Sequence, residues 1–135
     1  MAAGYLLDTN ICIYWLNERP AGIVERLAGV PAGAAVMSVV TWGELQFGAA
    51  KSREPVNARR NLEALAEVIP PFPLPVDAAR RYGELRAALE RKGMPVGANE
   101  LWIAAHALAE GLTLVTNNER EFRRVPKLKI ENWVA

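Results

Sequence analysis

The chain is short of the groups on which several catalytic strategies depend. It has one cysteine, Cys12, and one histidine, His106. A single thiol closes no internal disulfide, which fits a reducing compartment. Zinc-type Cys/His spacing is missing, and so are a Ser–His–Asp order, a Walker loop and a G-x-G-x-x-G turn. Cys12 therefore reads as a small buried residue, not a nucleophile. Apolar runs fall well short of the ~20 residues that a membrane span needs. No basic start precedes an apolar signal segment, so the expectation is a cytoplasmic protein with no membrane role. Charge of one sign is also lacking. Sixteen Lys and Arg against fifteen Asp and Glu leave a net +1, not the basic excess by which many nucleic-acid binders declare themselves.

What is present is a globular composition. Hydrophobic residues make up 51% of 135, enough for a single domain spanning 1–135 with its own core. The even charge balance hides an asymmetry. Arg120, Arg123, Arg124, Lys127 and Lys129 crowd the end of the chain, and Arg80, Arg81, Arg86 and Arg91 share one segment. Most of these read as solvated helix faces, but a basic rim around an acidic site would escape a net-charge count.

Short apolar segments alternate with helical periodicity. Strands are expected at Gly4 to Leu7, Gly33 to Met37, Leu112 to Thr116 and Lys127 to Glu131, with a short edge strand in the Pro-rich "IPPFPL". Helices are expected from Thr9 to about Asn17, from about Ala21 to Ala28, through "VVTWGELQFGAAKS" and "EPVNARRNLEALAEV", through "DAARRYGELRAALERKG" with its stop at Gly93, and through "NELWIAAHALAEG". The alternation predicts an α/β fold, a mainly parallel sheet of about five strands wrapped in helices.

In such a fold helices begin where strands end, and ligands gather outside the carboxyl edge. Asp8 follows the first strand directly. Glu44 falls in the first turn of the helix after the second, and Glu100 opens the helix that leads into the fourth. Asn118 and Glu121 come just after that strand. Each has an ordinary reading: Asp8 as an N-cap, Glu44 as the acid of a Thr41-x-x-Glu44 capping box, Glu121 in the same device after Asn118, and Glu100 favouring a helix end capped by Asn99. Jointly they point further. Three carboxylates at one edge repel one another, and no Lys or Arg lies within "LLDTN", "TWGEL" or "GANEL". A hard divalent cation, Mg²⁺ or Mn²⁺, would relieve that repulsion and could activate water in phosphodiester hydrolysis. Basic residues beyond Asn118 (Arg120, Arg123 and Arg124) would then hold flanking phosphates. Ser38 and Thr116 end strands at the same edge and either orient a carboxylate or satisfy helix ends. His106 reads as a hydrogen-bonded core histidine, and Trp42, Trp102 and Phe47 as core aromatics.

Four segments in order, "LLDTN", "SVVTWGEL", "GANELWIAAHA" and "LVTNNEREFRRV", resemble the motifs of PIN-domain ribonucleases, and the "KGMPVG" lead-in resembles the VapC toxins of bacterial toxin–antitoxin pairs. The resemblance runs from about Gly4 to Trp133. It implies an α/β/α sandwich and a Mg²⁺- or Mn²⁺-dependent endoribonuclease with Asp8, Glu44 and Glu100 as metal-binding acids. Thr9, Asn10, Ser38 and Thr116 would be supporting polar residues. Asn118 falls where many PIN domains carry a fourth acid, for which Glu121 would partly stand in. It also implies a homodimer, silenced by a VapB-like antitoxin, and initiator tRNA as the RNA cut. One position departs from the pattern: Glu100 stands where the family usually has Asp. The extra methylene moves the carboxylate by about 1.5 Å, whereas catalytic groups tolerate about 0.5 Å. Two rivals follow. One is an RNA- or partner-binding module disabled by Glu100. The other is a haloacid-dehalogenase-like phosphohydrolase, which wants a second acid where Asn10 stands.

Overall fold

Apolar pairs in three strands set the layering. Successive strand residues point to opposite faces, so Leu6, Val36 and Leu114 feed one core while Leu7, Met37 and Val115 feed the other. Both faces of the strands are buried, which is why these segments read as unbroken apolar runs. The structure is a computed structural model that describes residues 3–134. Its elements are β1 (Tyr5–Leu7), α1 (Thr9–Leu16), α2 (Ala21–Ala28), β2 (Ala35–Ser38), α3 (Val39–Ala50), α4 (Pro55–Val68), β3 (Pro71–Phe72), α5 (Asp77–Arg91), α6 (Ala98–Glu110), β4 (Thr113–Val115), α7 (Glu119–Phe122) and β5 (Ile130–Glu131).

The five strands pair in the order β3-β2-β1-β4-β5, every pair parallel. Leu6 sits between Val36 and Leu114 in register, so β1 is central. The chain builds outward from β1 to β3 and then returns to β4 on the other side. That places a topological switch between β1 and β4, where ligand crevices form. Helices α1 to α4 cover one face through Ile11, Ile23, Leu45 and Leu65. Helices α5 and α6 cover the other through Leu89, Leu101, Ala104 and Ala107. Gly93 after α5 and Gly111 after α6 both take φ +66°, the left-handed conformation that ends a helix cheaply only with glycine.

The edge strand in "IPPFPL" is present as β3, but the last strand is shorter than expected, confined to Ile130–Glu131. Three of the four arginines of α5 are bound along their own helix, Arg80 and Arg81 to Asp77 and Arg86 to Glu90, and Arg91 is exposed at its end. They are a solvated face. Trp42 and Trp102 are half-buried, Trp102 stacked on Tyr82 with ring centroids 3.9 Å apart. Phe47 corrects its core assignment: it is 66% exposed, on the face of α3 turned from the sheet.

Candidate active site

Asp8 is held by the element it starts. The chain leaves β1 and turns at once into α1, with Asp8 as N-cap and its Oδ1 accepting from the Ile11 N–H at 2.9 Å. The residue is 5% exposed. Burial pushes its carboxyl up to about 6; hydrogen bonds from the Thr116 hydroxyl and the Ile11 N–H oppose the rise, and the carboxylates of Glu100 and Glu44 add to it. Thr116 follows β4 next door, fully buried, and also accepts from the Asn118 N–H at 2.9 Å.

Glu44 projects from the second turn of α3, not the first. Ser38, the last residue of β2, is the N-cap, its Oγ accepting from the Val40 N–H at 3.1 Å. The helix therefore begins three residues before the expected capping box. Thr41 is buried inside it, within 3.2 Å of the Thr9 hydroxyl, which donates to Glu44 Oε1 at 2.5 Å. Thr41 belongs to the site's support, and its spacing to Glu44 was the signal that disguised it as a cap.

Glu100 lies in the first turn of α6, but Gly97, not Asn99, is the N-cap. The Gly97 carbonyl takes the first helical bond, from Leu101 N–H, and Asn99 is exposed further round the turn. The Glu100 carboxylate folds back against Gly97 so closely that any β-carbon there would collide with Oε2.

Asp8, Glu44 and Glu100 line one cavity of about 90 Å³ at the carboxyl edge, with Thr9, Asn10 and Asn118 as its other polar walls and Ile103 and Phe122 as its apolar ones. No Lys or Arg lines it. Among the described residues, however, no three acid, His or Cys side chains are drawn close enough to enclose an ion: Glu44 leans on Thr9 and Glu100 on Gly97. The donors are all oxygen, suited to a hard cation such as Mg²⁺ or Mn²⁺ and not to a soft one.

Ser38 and Thr116 stand behind this cavity and not in its lining. Ser38 Oγ lies 2.9 Å from Nδ1 of His106, so the N-cap of the Glu44 helix is bonded to the Glu100 helix. His106 is fully buried, burial holds its imidazole below the ordinary range, and Nε2 has no partner among the described residues. Cys12 is buried too, and burial with Asp8 nearby pushes its thiol up, away from reactivity. Glu121 is outside the lining, bonded to Gly97 and Asn118. Arg124 donates to the Pro95 carbonyl at 2.8 Å, while Arg120 and Arg123 are exposed.

An acid-lined cavity at the switch point of a parallel sheet defines the class: residues 5–128 match the PIN domain family. Ribonuclease VapC2 of Rickettsia felis is 39% identical over 130 residues, covering 96% of this chain and 97% of the relative. The tRNA(fMet)-specific endonuclease VapC of Shigella flexneri is 41% identical over 129 residues, with the same coverage. The crystal structure of VapBC2 from Rickettsia felis bound to a DNA fragment from their promoter superposes with a TM-score of 0.90 at 38% identity, over 98% of this chain and 99% of that one. The chain belongs to the VapC ribonucleases of the PIN-domain family.

Proposed function

We propose that the chain is the toxin of a VapBC-type pair and a Mg²⁺- or Mn²⁺-dependent endoribonuclease, with Asp8, Glu44 and Glu100 holding the cation. The observation that carries this is the cavity itself: three carboxylates, no basic side chain, and a buried Asp8 whose carboxyl is raised to about 6 by burial and by its acidic neighbours. When bound, such a cation supplies polarisation of a phosphoryl oxygen and a more acidic attacking water. The chain's own residues set the stage. Ile11 N–H and Thr116 fix Asp8, Thr9 fixes Glu44, and the first turn of α6 carries Glu100. Asn10 and Asn118 offer amides at the rim, and the exposed Arg120 and Arg123 are placed to hold flanking phosphates. In-line hydrolysis leaves a 5′-phosphate and a 3′-hydroxyl.

The Shigella relative named for tRNA(fMet) makes initiator tRNA the first RNA to test. The Rickettsia VapBC2 structure supports a VapB-like antitoxin as partner, and a homodimeric toxin is part of the same proposal. An open groove of about 840 Å³ continues from Thr9, Asn10 and Glu44 past Ile13 and Phe47. The antitoxin tail would lie there, placing a basic side chain against the acids.

The test is cleavage of tRNA and total RNA in Mg²⁺, with and without EDTA, beside Asp8→Ala. Loss of cleavage in both controls is expected; cutting that persists in either removes the metal mechanism. One observation favours a second reading, a binding module with impaired chemistry: the Glu100 carboxylate rests against Gly97 instead of reaching for the other acids. RNA bound but uncut by this chain, and cut by Glu100→Asp, would establish it.

A further inference from the structure

Glu121 is the acid that the sequence offers as a substitute fourth ligand, and its surroundings give it other work. Its Oε1 accepts from the Gly97 N–H at 2.9 Å and its Oε2 from Asn118 Nδ2 at 2.8 Å. Both oxygens are engaged, and neither partner is a cation. Gly97 is the N-cap of α6 and lies directly under the Glu100 carboxylate. Two residues earlier, the Pro95 carbonyl accepts from Arg124 Nη1 at 2.8 Å. Val96, between these two anchors, is buried. The segment after β4 thus grips residues 95–97 at both ends, from 24 and 29 residues away in sequence.

We propose that Glu121 is a positioning residue: by holding the Gly97 N–H it fixes the first turn of α6, and so the point from which Glu100 reaches the cavity, without ligating the cation itself. This rests on the reading of Asp8, Glu44 and Glu100 as a cation site. Chemistry separates the two roles. An amide keeps a carbonyl oxygen for Gly97, and Asn118 can turn its own amide to face the new NH₂, so Glu121→Gln retains both bonds and loses only charge. Glu121→Asp keeps the charge and loses the reach. A ligand to a hard dication needs the charge; a clamp needs the reach.

The experiment measures binding of Mn²⁺ alone, without RNA, by electron paramagnetic resonance, and amide hydrogen exchange at residues 97–100. It compares the full chain with Glu121→Gln, Glu121→Asp, Glu121→Ala and Asp8→Asn. Glu121→Gln is expected to keep Mn²⁺ affinity within about twofold, while Glu121→Asp and Glu121→Ala lose about tenfold of exchange protection at Gly97, the scale of one hydrogen bond to a charged acceptor, and weaken Mn²⁺ several-fold. RNA cleavage is expected to be rescued by glutamine and not by aspartate. The opposite ranking, with aspartate retaining Mn²⁺ and glutamine losing it, makes Glu121 a ligand and overturns the proposal, as does unchanged exchange at Gly97 in all three. Absence of Mn²⁺ binding to the unmodified chain would overturn the cation reading alone, since the exchange ranking still decides the clamp. If Glu121→Ala unfolds, the aspartate and glutamine pair still decides.

Discussion

Asp8→Asn should make the metal-free protein more stable at neutral pH. Asp8 is 5% exposed, and its carboxyl is raised from the ordinary 3.8 to about 6, burial first and the Glu100 and Glu44 charges adding. The folded state therefore holds this proton more tightly than the unfolded chain does. Between pH 3.8 and 6 the folded state carries more protons, so its stability falls as pH rises through that window and levels off above it. At about 1.4 kcal/mol per tenfold, the rise corresponds to roughly 3 kcal/mol of stability forfeited at pH 8. Asparagine removes the charge and keeps the cap, since Asn and Asp are equally good N-caps and an amide oxygen still accepts from Ile11 N–H. The variant is expected to gain about 2–3 kcal/mol at pH 8 in chelator and almost nothing at pH 4, where the wild-type carboxyl is already protonated. For a chain of this length that is a midpoint rise of roughly 5–10 °C. Saturating Mg²⁺ should close the gap by stabilising only the wild type, by about 2.7 kcal/mol at a hundredfold excess over Kd. Urea unfolding at pH 8, 6 and 4, with EDTA or Mg²⁺, reads all of this. A less stable variant at pH 8 in EDTA, or a difference that ignores pH, would refute the claim that Asp8 is a buried charge kept for function.

Three further outcomes rest on particular side chains. Ser38→Ala removes the cap of α3 and the partner of His106 Nδ1, and should cost about 2–3 kcal/mol in urea unfolding; an unshifted midpoint would mean that the bond between the two acid-bearing helices carries nothing. Gly97→Ala sits at φ −54°, which alanine adopts freely, so stability should stay within about 1 kcal/mol of wild type. Its β-carbon displaces the Glu100 carboxylate toward the cavity, and tighter Mn²⁺ binding by calorimetry is the result expected; equal affinity would contradict the folded-back position. Arg120→Ala with Arg123→Ala should weaken RNA binding and lower the log–log salt slope by about 1 for each phosphate no longer neutralised. Thermal stability should hold, since Arg123 spends only an exposed pair with Glu119.

Local patterns were legible and long-range partners were not. The helices showed in their periodicity, and Asp8, Glu44 and Glu100 could be assigned to one sheet edge because α/β topology leaves no other place for strand ends. Their convergence needed the strand order, with β1 between β2 and β4. No local signal encodes that pairing. The capping box at Thr41 failed because Ser38 offers an earlier hydroxyl at the end of its strand; two adequate caps stood three residues apart, and the one nearer the strand prevailed. Asn99 lost to Gly97 for a different reason. The Gly97 N–H is met by Glu121, 24 residues onward, a long-range bond that pins the start of the turn two residues before Asn99. Phe47 read as core because α3 is apolar on most sides, and nothing in its period says which side meets the sheet.

Capping and the proposed cation binding are compatible in one arrangement and not competing explanations. Helices α1, α3 and α6 all begin at the acid edge, and each N-terminus carries a partial positive charge of about one half. Three such ends offer at most about +1.5 against three carboxylates, and the dipole fades within a turn, so Glu44 in the second turn of α3 feels little of it. Helix ends can therefore hold Asp8 and Glu100 in place but cannot neutralise the set. The shortfall, about −1.5 or more by the same half-charge estimate, is too large for the cavity to close on itself and has no arginine or lysine in the lining to meet it. It is the charge that one divalent cation supplies. On this reasoning the folded-back Glu100 and the Thr9-bound Glu44 keep the carboxylates apart, and under the proposed cation reading a bound dication would draw them inward.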